Sequence, residues 1–353
     1  MTVSDHQVTT EAGVDRTAPE SFTTRWSRRL GGGWIFLLLI ALAAFFTVLR
    51  PGQFATVYNV STLAVDAAIL LVLAVGQTFV IITAGIDLSV GSVLVFSSVV
   101  AAKLMLALSG GKGTEYGTTN AGWWIIAVGT VVAVACGAAW GLLNGVLIAI
   151  ARVPALIVTL GTMGMALGFA QLITDGEDVR AVPDRLVGFV GTGKIAGIPT
   201  LVVIGAVITV LAAVWLHLTR FGERTYAVGS NSEAARRAGI PVRSQLVRVY
   251  VLCGALGGVA GVMSIARFAT TTIGGHTADN LSTISAVVLG GTSLFGGIGS
   301  IVGTVVGVFI PVILLNGFVI LGIPPFWQTV AMGAVLVLAV FVDQLKRRRR
   351  QRA

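Results

Sequence analysis

Long apolar runs recur along almost the whole of this 353-residue chain, and they restrict its possible folds more than any other feature. A helix needs about 20 predominantly apolar residues to cross a bilayer. Only 11% of the residues are charged, whereas a soluble domain carries about 25%. The candidate spans are Trp34–Leu49, Val60–Thr83, Ser89–Leu108, Trp123–Ile150, Leu156–Thr174, Thr200–Leu218, Val247–Phe268, Ser282–Leu294, Ser300–Leu321 and Phe326–Phe341. We therefore predict an all-α polytopic membrane protein with about ten transmembrane helices, of which the eighth is the shortest.

The basic residues predict the side of the membrane on which each end of the chain lies. Ten spans place both termini on one side. If that side is the cytoplasm, it receives 17 of the 24 lysines and arginines, which is the asymmetry that membrane proteins show. These residues lie in the N-terminal tail, at Arg152, in Arg220–Arg248 and in Lys346–Arg352.

We accordingly predict three regions in the chain. A disordered cytoplasmic tail covers residues 1–30, a membrane domain covers 31–345, and a basic cytoplasmic tail covers 346–353. The basic tail directly follows an apolar span, so its charges are expected to contact anionic lipid rather than nucleic acid.

A short polar segment, Gly229–Gly239, interrupts the apolar sequence and has the signals of a helix outside the bilayer. Ser230 and Glu233 have the spacing of a capping box. Gly239 suits the left-handed residue that closes a helix, and Pro241 prevents continuation. We predict a short, capped, basic helix on the cytoplasmic side; the alternative is a solvated amphipathic loop.

A second polar segment, Thr83–Ser92, contains Asp87 between two glycines and beside two serines. An ionisable residue at membrane depth is costly, and its default interpretation is functional. Irregular backbone at that depth is tolerated only where protein buries it or where it lines a cavity. The other interpretation is a short cytoplasmic turn in which Asp87 caps the next helix. The sequence leaves both open.

Glycines with helical spacing predict close contacts between membrane helices, because small residues let two backbones approach. These glycines are Gly137/Gly141/Gly145, Gly164/Gly168, Gly254/Gly258, Gly257/Gly261 and Gly303/Gly307. A further glycine-rich segment, Leu289–Ser300, has no flanking strand or long soluble helix that would make it a phosphate-binding loop. We interpret it as a re-entrant or sharply turned link between two spans.

The sequence contains no clear pattern of catalytic or metal-binding residues. The three histidines have no metal-ligand spacing and no evident partner carboxylate. Gly188–Ile195 follows the P-loop spacing, but Ile195 replaces the hydroxyl residue that would reach Mg²⁺. Arg267 and Lys103 lie near span ends, where they can snorkel to the interface, and the role of Asp66 stays open.

Several segments together resemble the ribose/simple-sugar ABC transporter permeases of the branched-chain amino acid/ribose-type superfamily. In chain order they are "GQTFVIITAGIDLSVGS" (76–92), "GLLNGVLIA" (141–149), "VPALIVTLGTM" (153–163), "SNSEAARRAGI" (230–240), "AVVLGGTSLFGGIGS" (286–300) and "PFWQ" (325–328). The resemblance covers almost the whole chain from Trp34 to Asp343. The chain departs from it at Asn280 and Ser282, where many relatives carry an acidic pair.

The resemblance implies partners and a role for the polar helix. Such permeases are expected to work as two permease copies, here a homodimer, with a cytoplasmic ATPase pair and an extracytoplasmic sugar-binding protein. ATP is used by the ATPase, and no cofactor is expected on this chain. The polar helix matches the loop that these permeases present to the ATPase. The residues that this resemblance implies for coupling to the ATPase are Ser230, Glu233, Ala234, Ala235, Arg236 and Gly239.

We therefore predict a non-enzymatic permease subunit that imports a monosaccharide or related small polyol across the cell membrane. The residues predicted to line its translocation path are Gln77, Asp87, Ser89, Asn144, Thr159 and Asn316. The alternative is a secondary transporter driven by an ion gradient. Such a carrier needs carboxylates or a proton relay deep in several spans, and this chain offers only Asp66 and Asp87.

Overall fold

The computed structural model describes residues 33–110, 118–276 and 278–352. The disordered tail predicted over residues 1–30 lies outside these ranges. The helices are α1 (Gly33–Leu49), α2 (Pro51–Phe54), α3 (Val57–Ile82), α4 (Val90–Leu108), α5 (Trp123–Ala149), α6 (Ala155–Thr174), α7 (Asp184–Leu186), α8 (Thr200–Leu218), α9 (Arg220–Ser230), α10 (Ser232–Arg237), α11 (Val242–Phe268), α12 (Asp279–Leu289), α13 (Ile301–Ile320) and α14 (Pro325–Arg352).

Seven helices in the described ranges are long and apolar enough to cross a membrane, and they are α3, α4, α5, α6, α8, α11 and α13. The apolar parts of α1 and α14, Ile35–Leu49 and Phe326–Phe341, are shorter. Each predicted span therefore corresponds to a helix, which confirms the all-α membrane class. The count of ten crossings is not confirmed, because α12 has only 11 residues.

The eighth predicted span, Ser282–Leu294, is a half-helix followed by a non-helical link. At 1.5 Å per residue α12 is about 16 Å long, roughly half of a bilayer core. Gly290–Ser300 then folds back on itself, with the Ser293 N–H donating to the Ile298 carbonyl oxygen at 3.0 Å. The Asp343 carboxylate of α14 accepts from the Ser293 hydroxyl at 3.2 Å. The sharply turned link predicted for this segment is thus present.

Helix α3 is the most enclosed of the long helices, with 89% of its apolar window buried. It packs against α8, α11, α12 and α13. By contrast, only 28% of the corresponding window of α6 is buried. The surface of α6 presents large apolar side chains such as Leu160, Phe169 and Leu172, as expected for a helix that faces lipid.

Glycines allow α5 and α11 to pack with their backbones in direct contact. A methyl group on Gly137 would overlap the carbonyl oxygen of Gly254, and one on Gly254 would overlap that of Gly137. Gly141 lies against the Tyr250 carbonyl oxygen in the same way. The predicted glycine packing is confirmed at this contact. Gly164 and Gly168 of α6 differ, since no described atom of the chain lies within 4 Å of their Cβ positions.

Short elements fill the connection between α6 and α8 and pair it with the segment before α5. Two parallel two-residue strands pair Thr118–Thr119 with Val182–Pro183, and an antiparallel pair joins Lys194–Ile195 to Ile198–Pro199. A single π-helical turn covers Val187–Gly191. The chain continues from Lys194 into a short strand instead of opening a helix there, so the glycine spacing at Gly188–Ile195 does not build a phosphate-binding loop.

Candidate functional site

The short helix α10 begins at a different residue from the one that the sequence suggested. Its N-cap is Asn231, whose side-chain oxygen accepts from the Ala234 N–H at 2.9 Å. Ser230 is the last residue of α9. Asn231 has the extended conformation that is typical of an N-cap, and it is the Asn231 side chain that makes the capping hydrogen bond. The predicted capping box of Ser230 and Glu233 is therefore wrong.

Glu233 instead forms ion pairs along the exposed face of α10. Its carboxylate accepts from Arg236 at 2.8 and 3.1 Å and from Arg237 at 3.2 Å. The hydrogen bonds from Arg236, followed by those from Arg237, lower the pKa of the Glu233 carboxyl. All three side chains are exposed, so this face carries two arginines anchored by one glutamate.

The C-terminal end of α10 agrees with the prediction. Gly239 has a φ of 81°, in the left-handed region that glycine adopts without a steric penalty. The Ile240 N–H donates to the Ala235 carbonyl oxygen and the Gly239 N–H to that of Arg236, both at 3.0 Å. These two bonds make a Schellman motif, and Pro241 follows. Helix α10 is short, closed at both ends and outside the helical bundle.

Helix α10 is connected, through the end of α9, to the C-terminal end of α3 and to the glycine-rich link Gly290–Ser300. Gly229 packs directly on the Ile82 carbonyl oxygen, where α3 ends, and on the Gly297 N–H of the glycine-rich link. The Gly297 N–H itself donates to the Ile82 carbonyl oxygen at 2.8 Å. One turn earlier, the Tyr226 hydroxyl donates to the Gly299 carbonyl oxygen at 2.7 Å. We call this contact of α9, the α3 end and the link the junction.

The backbone between α3 and α4 holds Asp87 in a buried polar cluster. The Asp87 side chain is 1% exposed. Its carboxylate accepts from the Ser89 N–H at 2.8 Å and from the Ser89 hydroxyl at 2.5 Å. Asn144 donates to the same hydroxyl oxygen at 2.9 Å. Of the two interpretations left open above, burial within protein agrees with the structure, because the N-cap residue of α4 is Ser89.

Two other predicted path residues join this cluster. With its amide oriented to match its neighbours, Gln77 donates to the Asp87 carbonyl oxygen at 3.3 Å and accepts from the Asp87 N–H at 3.2 Å. The Thr159 hydroxyl donates to the carbonyl oxygen of Ile86 at 3.2 Å. Five of the six predicted path residues thus meet at the segment from Ile86 to Ser89. Asp87 and Ser89 belong to this segment, and Gln77, Asn144 and Thr159 form hydrogen bonds with it.

Asn316 is the exception among the predicted path residues. It lies near the end of α13 and exchanges two hydrogen bonds with Asn59 in the first turn of α3, at 2.9 and 3.0 Å. Asn59 stands at the opposite end of α3 from Ile82. The structure therefore does not bring Asn316 to the Asp87 cluster.

Two interpretations of charged residues need correction. Arg267, interpreted as a snorkelling residue, donates through Nε and Nη2 to the Oδ1 atom of Asp66 at 3.3 and 3.2 Å. His276 does have a carboxylate partner nearby, since its Nδ1 lies 2.7 Å from Asp279. The other ring nitrogen of His276 lies 2.8 Å from the buried Ser264 hydroxyl. This arrangement links the end of α11 to the start of α12.

Sequence reasoning missed residues of the site whose contacts are with distant parts of the chain. Asn280, one of the departures from the family pattern, accepts from the Gly91 N–H at 2.7 Å and so caps the first turn of α4 from another helix. Tyr226 and Gly229 belong to the junction. Only Asn231 carried a local signal, because asparagine is as good an N-cap as serine.

The fold and site together define a class, that of multi-spanning transport components with a short helix outside the membrane bundle. The chain belongs to the family described as the permease component of the branched-chain amino acid transport system, whose model matches residues 59–340. This membership confirms the expectation of a permease rather than an enzyme.

Relatives with established names cover most of this chain. The ribose import permease protein RbsC of Escherichia coli (strain K12) is 39% identical over 313 residues, which span 88% of this chain and 92% of that protein. RbsC of Bacillus subtilis (strain 168) is 37% identical, with the same two shares. The D-allose transport system permease protein AlsC of Escherichia coli (strain K12) is 33% identical over 93% of this chain and 94% of its own. No solved structure gives a significant match.

Proposed function

We propose that this permease imports a monosaccharide or related small polyol, as a homodimer that works with a cytoplasmic ATPase pair and an extracytoplasmic sugar-binding protein. The names of the relatives support the substrate class, because they describe permeases for ribose and allose. The N- and C-termini and α10 lie in the cytoplasm in this proposal, as the distribution of basic residues predicts.

The observation that carries the proposal is the position of α10. It is a rigid, capped helix that stands outside the bundle and connects through α9 to the end of α3 and to the glycine-rich link. A push on such a helix is transmitted to the backbone beside Asp87, whereas a loose loop would absorb it. We propose that the ATPase docks on α10 and that its closure changes access to the path.

The proposed path follows the polar cluster at Asp87. Gln77, Ser89, Asn144 and Thr159 fix the irregular backbone between α3 and α4, and Asn316 supplies a separate polar position near the other end of α3. Because these side chains are buried or paired, they move only when the helices around them move.

A test compares wild type with Glu233→Ala and Gly239→Val in cells that produce all components. Valine resists the left-handed conformation of Gly239, so this variant should insert normally but lose the co-purifying ATPase and sugar uptake. Glu233→Ala removes the carboxylate that pairs with Arg236 and Arg237. We expect it to reduce both the amount of co-purifying ATPase and the rate of sugar uptake. Full ATPase retention with full uptake in Gly239→Val would show that α10 is not the coupling element.

The secondary-transporter alternative predicts a different energy source. In the described spans the carboxylates are Asp66 and Asp87, and Asp66 is already paired with Arg267. Uptake should therefore survive an ionophore that collapses ion gradients while cellular ATP is maintained, and it should stop when ATP alone is depleted. The reverse result would favour the secondary transporter.

A further inference from the structure

Helix α10 lies between two helices that a single buried side chain ties together. Gln245, in the first turn of α11, is 1% exposed. Its amide nitrogen donates to the Phe221 carbonyl oxygen at 3.0 Å and to the Thr225 hydroxyl oxygen at 2.9 Å, and both acceptors belong to α9. The Thr225 hydroxyl in turn donates to the Phe221 carbonyl oxygen at 2.8 Å. We call this closed set of three residues the clamp.

The clamp closes the chain around α10. Helix α9 ends at Ser230 and α11 begins at Val242, so the chain leaves the bundle, forms α10 and returns to the clamp. Because hydrogen bonds are directional, the clamp fixes both the distance between α9 and α11 and their relative rotation. Without it, α10 would be joined to α11 only by the short turn at Gly239 and Pro241. The three helices therefore form one rigid unit.

Helix α11 continues from the clamp to the connection between α3 and α4 that holds Asp87. Tyr250 of α11 is fully buried, and a Cβ on Gly85 of this connection would lie 2.6 Å from the Tyr250 hydroxyl oxygen. One turn later, Cys253 lies against α3, where a Cβ on Gly76 would be 3.1 Å from the Cys253 Cα atom. Movement of α11 is therefore passed to the backbone just before Asp87 and to the part of α3 beside it.

We propose that Gln245 is a positioning residue for transport, which makes α9, α10 and α11 move as one unit, so that α10 acts on the α3–α4 connection through α11 as well as through the junction. This inference rests on the proposed function, because it takes α10 as the docking site of the ATPase. The junction acts on the end of α3, and Tyr250 acts on the backbone at Gly85. Both contacts are needed, since the connection is held at both places.

The first part of the test measures the rigidity of the unit in the purified permease, without the ATPase. Gln245→Leu keeps the approximate size of the side chain and removes the amide. Gln171→Leu is the control, because it makes the same substitution at an exposed position of α6. Backbone hydrogen exchange reports local opening. We expect the amides of α9 and of the first turn of α11 to exchange about fivefold faster in Gln245→Leu, the effect of losing one typical hydrogen bond. Wild-type exchange in this variant would overturn the clamp.

The second part measures coupling in proteoliposomes that contain the complete transporter. The readout is the amount of ATP hydrolysed for each molecule of radiolabelled D-ribose or D-allose imported, whichever sugar wild type imports faster. We expect Gln245→Leu to retain the ATPase and to hydrolyse about fivefold more ATP for each sugar. Adding Thr225→Val should increase this ratio no further, because both changes remove the same contact.

Two results would overturn the role of Gln245. A merely structural defect lowers hydrolysis and uptake together and leaves their ratio at the wild-type value. Loss of the ATPase from Gln245→Leu would show that the residue holds the docking surface instead of transmitting its movement. If wild type retains no ATPase or imports neither sugar, the proposed function itself fails, while the exchange result still decides whether the three helices form one unit.

Tyr250→Phe tests the other end of the route. This substitution keeps the ring and removes only the hydroxyl that reaches Gly85. We expect it to raise the ratio of ATP hydrolysed to sugar imported, as Gln245→Leu does, and to leave hydrogen exchange at the clamp unchanged. A wild-type ratio in Tyr250→Phe would exclude α11 as a route to the α3–α4 connection.

Discussion

At the scale of single residues, Asn231 and Ser230 provide a matched pair for testing how α10 is held. Asn231→Ala removes the side chain that accepts from the Ala234 N–H. Loss of such a cap costs about 0.5–2 kcal/mol, too little to unfold the membrane bundle but enough to fray a helix of six residues. We expect reduced ATPase retention and reduced uptake at a normal membrane level of the protein. Ser230→Ala, which removes a hydroxyl from the end of α9, should behave like wild type. A larger defect in Ser230→Ala than in Asn231→Ala would contradict this assignment.

Asp87 gives a second prediction at the same scale. Asp87→Leu would leave the Ser89 N–H and hydroxyl without their acceptor in a buried site, at a cost of about 1–3 kcal/mol for each unsatisfied group. The backbone between α3 and α4 would then lose its fixed geometry. We expect insertion and ATPase retention to persist and sugar uptake to be lost. The exposed Glu177→Leu serves as the control. Normal uptake in Asp87→Leu would show that the carboxylate is dispensable for transport.

At the scale of elements, the glycine-rich link can be tested with glycines that share a backbone conformation but differ in surroundings. Gly296, Gly297 and Gly322 have φ values of 83°, 74° and 70°, so valine meets a similar backbone penalty at all three, about 1–2 kcal/mol. A Cβ at Gly296 would crowd Gly229 and Ala84, and one at Gly297 would crowd Ser230, whereas Gly322 has open space around it. Valine at Gly296 or Gly297 should therefore harm transport more than valine at Gly322. Equal uptake in the three variants would indicate a loosely held loop.

The junction offers a separate test of how motion of α10 reaches the membrane helices. A methyl group at Gly229 would overlap the Ile82 carbonyl oxygen and approach the Gly297 N–H, and such overpacking costs about 1–3 kcal/mol. Gly229→Ala leaves α10 itself unchanged. We expect this variant to retain the ATPase but to lose uptake, in contrast to Gly239→Val, which should lose both. Gly188→Ala, with no atom within 4 Å of its Cβ position, is the control. Wild-type uptake in Gly229→Ala would exclude the junction as the route.

At the scale of the whole molecule, the orientation in the membrane is open to direct measurement. Cysteines placed singly at Ser21, Glu177 and Ser232 sample the N-terminal tail, the segment before α8 and α10. With an impermeant reagent only Glu177→Cys should react in intact cells, whereas all three should react after permeabilisation. The physical reason is the concentration of lysine and arginine on the cytoplasmic side. Labelling of Ser232→Cys in intact cells would show that α10 faces the outside and would contradict the predicted orientation.

Local sequence patterns were sufficient for much of the fold. The apolar runs located the seven long apolar helices to within five residues at each end, since a helix satisfies its own backbone hydrogen bonds in lipid. The last helix, α14, continues to Arg352, eleven residues beyond the predicted span. Thr200–Leu218 was predicted with both of its observed ends. The left-handed Gly239 was predicted as well, because a helix end depends on the few residues around it.

The rest was decided by contacts between segments that are far apart in sequence. Apolar composition alone could not separate the half-helix α12 from a full span, because its length depends on the fold of Gly290–Ser300 against Asp343. Both Ser230 and Asn231 are good caps, and the choice between them depended on the extent of α9. The ion pair of Asp66 with Arg267, 201 positions apart, leaves no local trace. The sequence by itself determined that the chain is an all-α membrane protein with a short polar helix closed by Gly239, since those properties follow from local hydrophobicity and backbone chemistry, and its family motifs identified a permease. The tertiary structure alone decided which polar groups meet, because burial and pairing are properties of helices packed together.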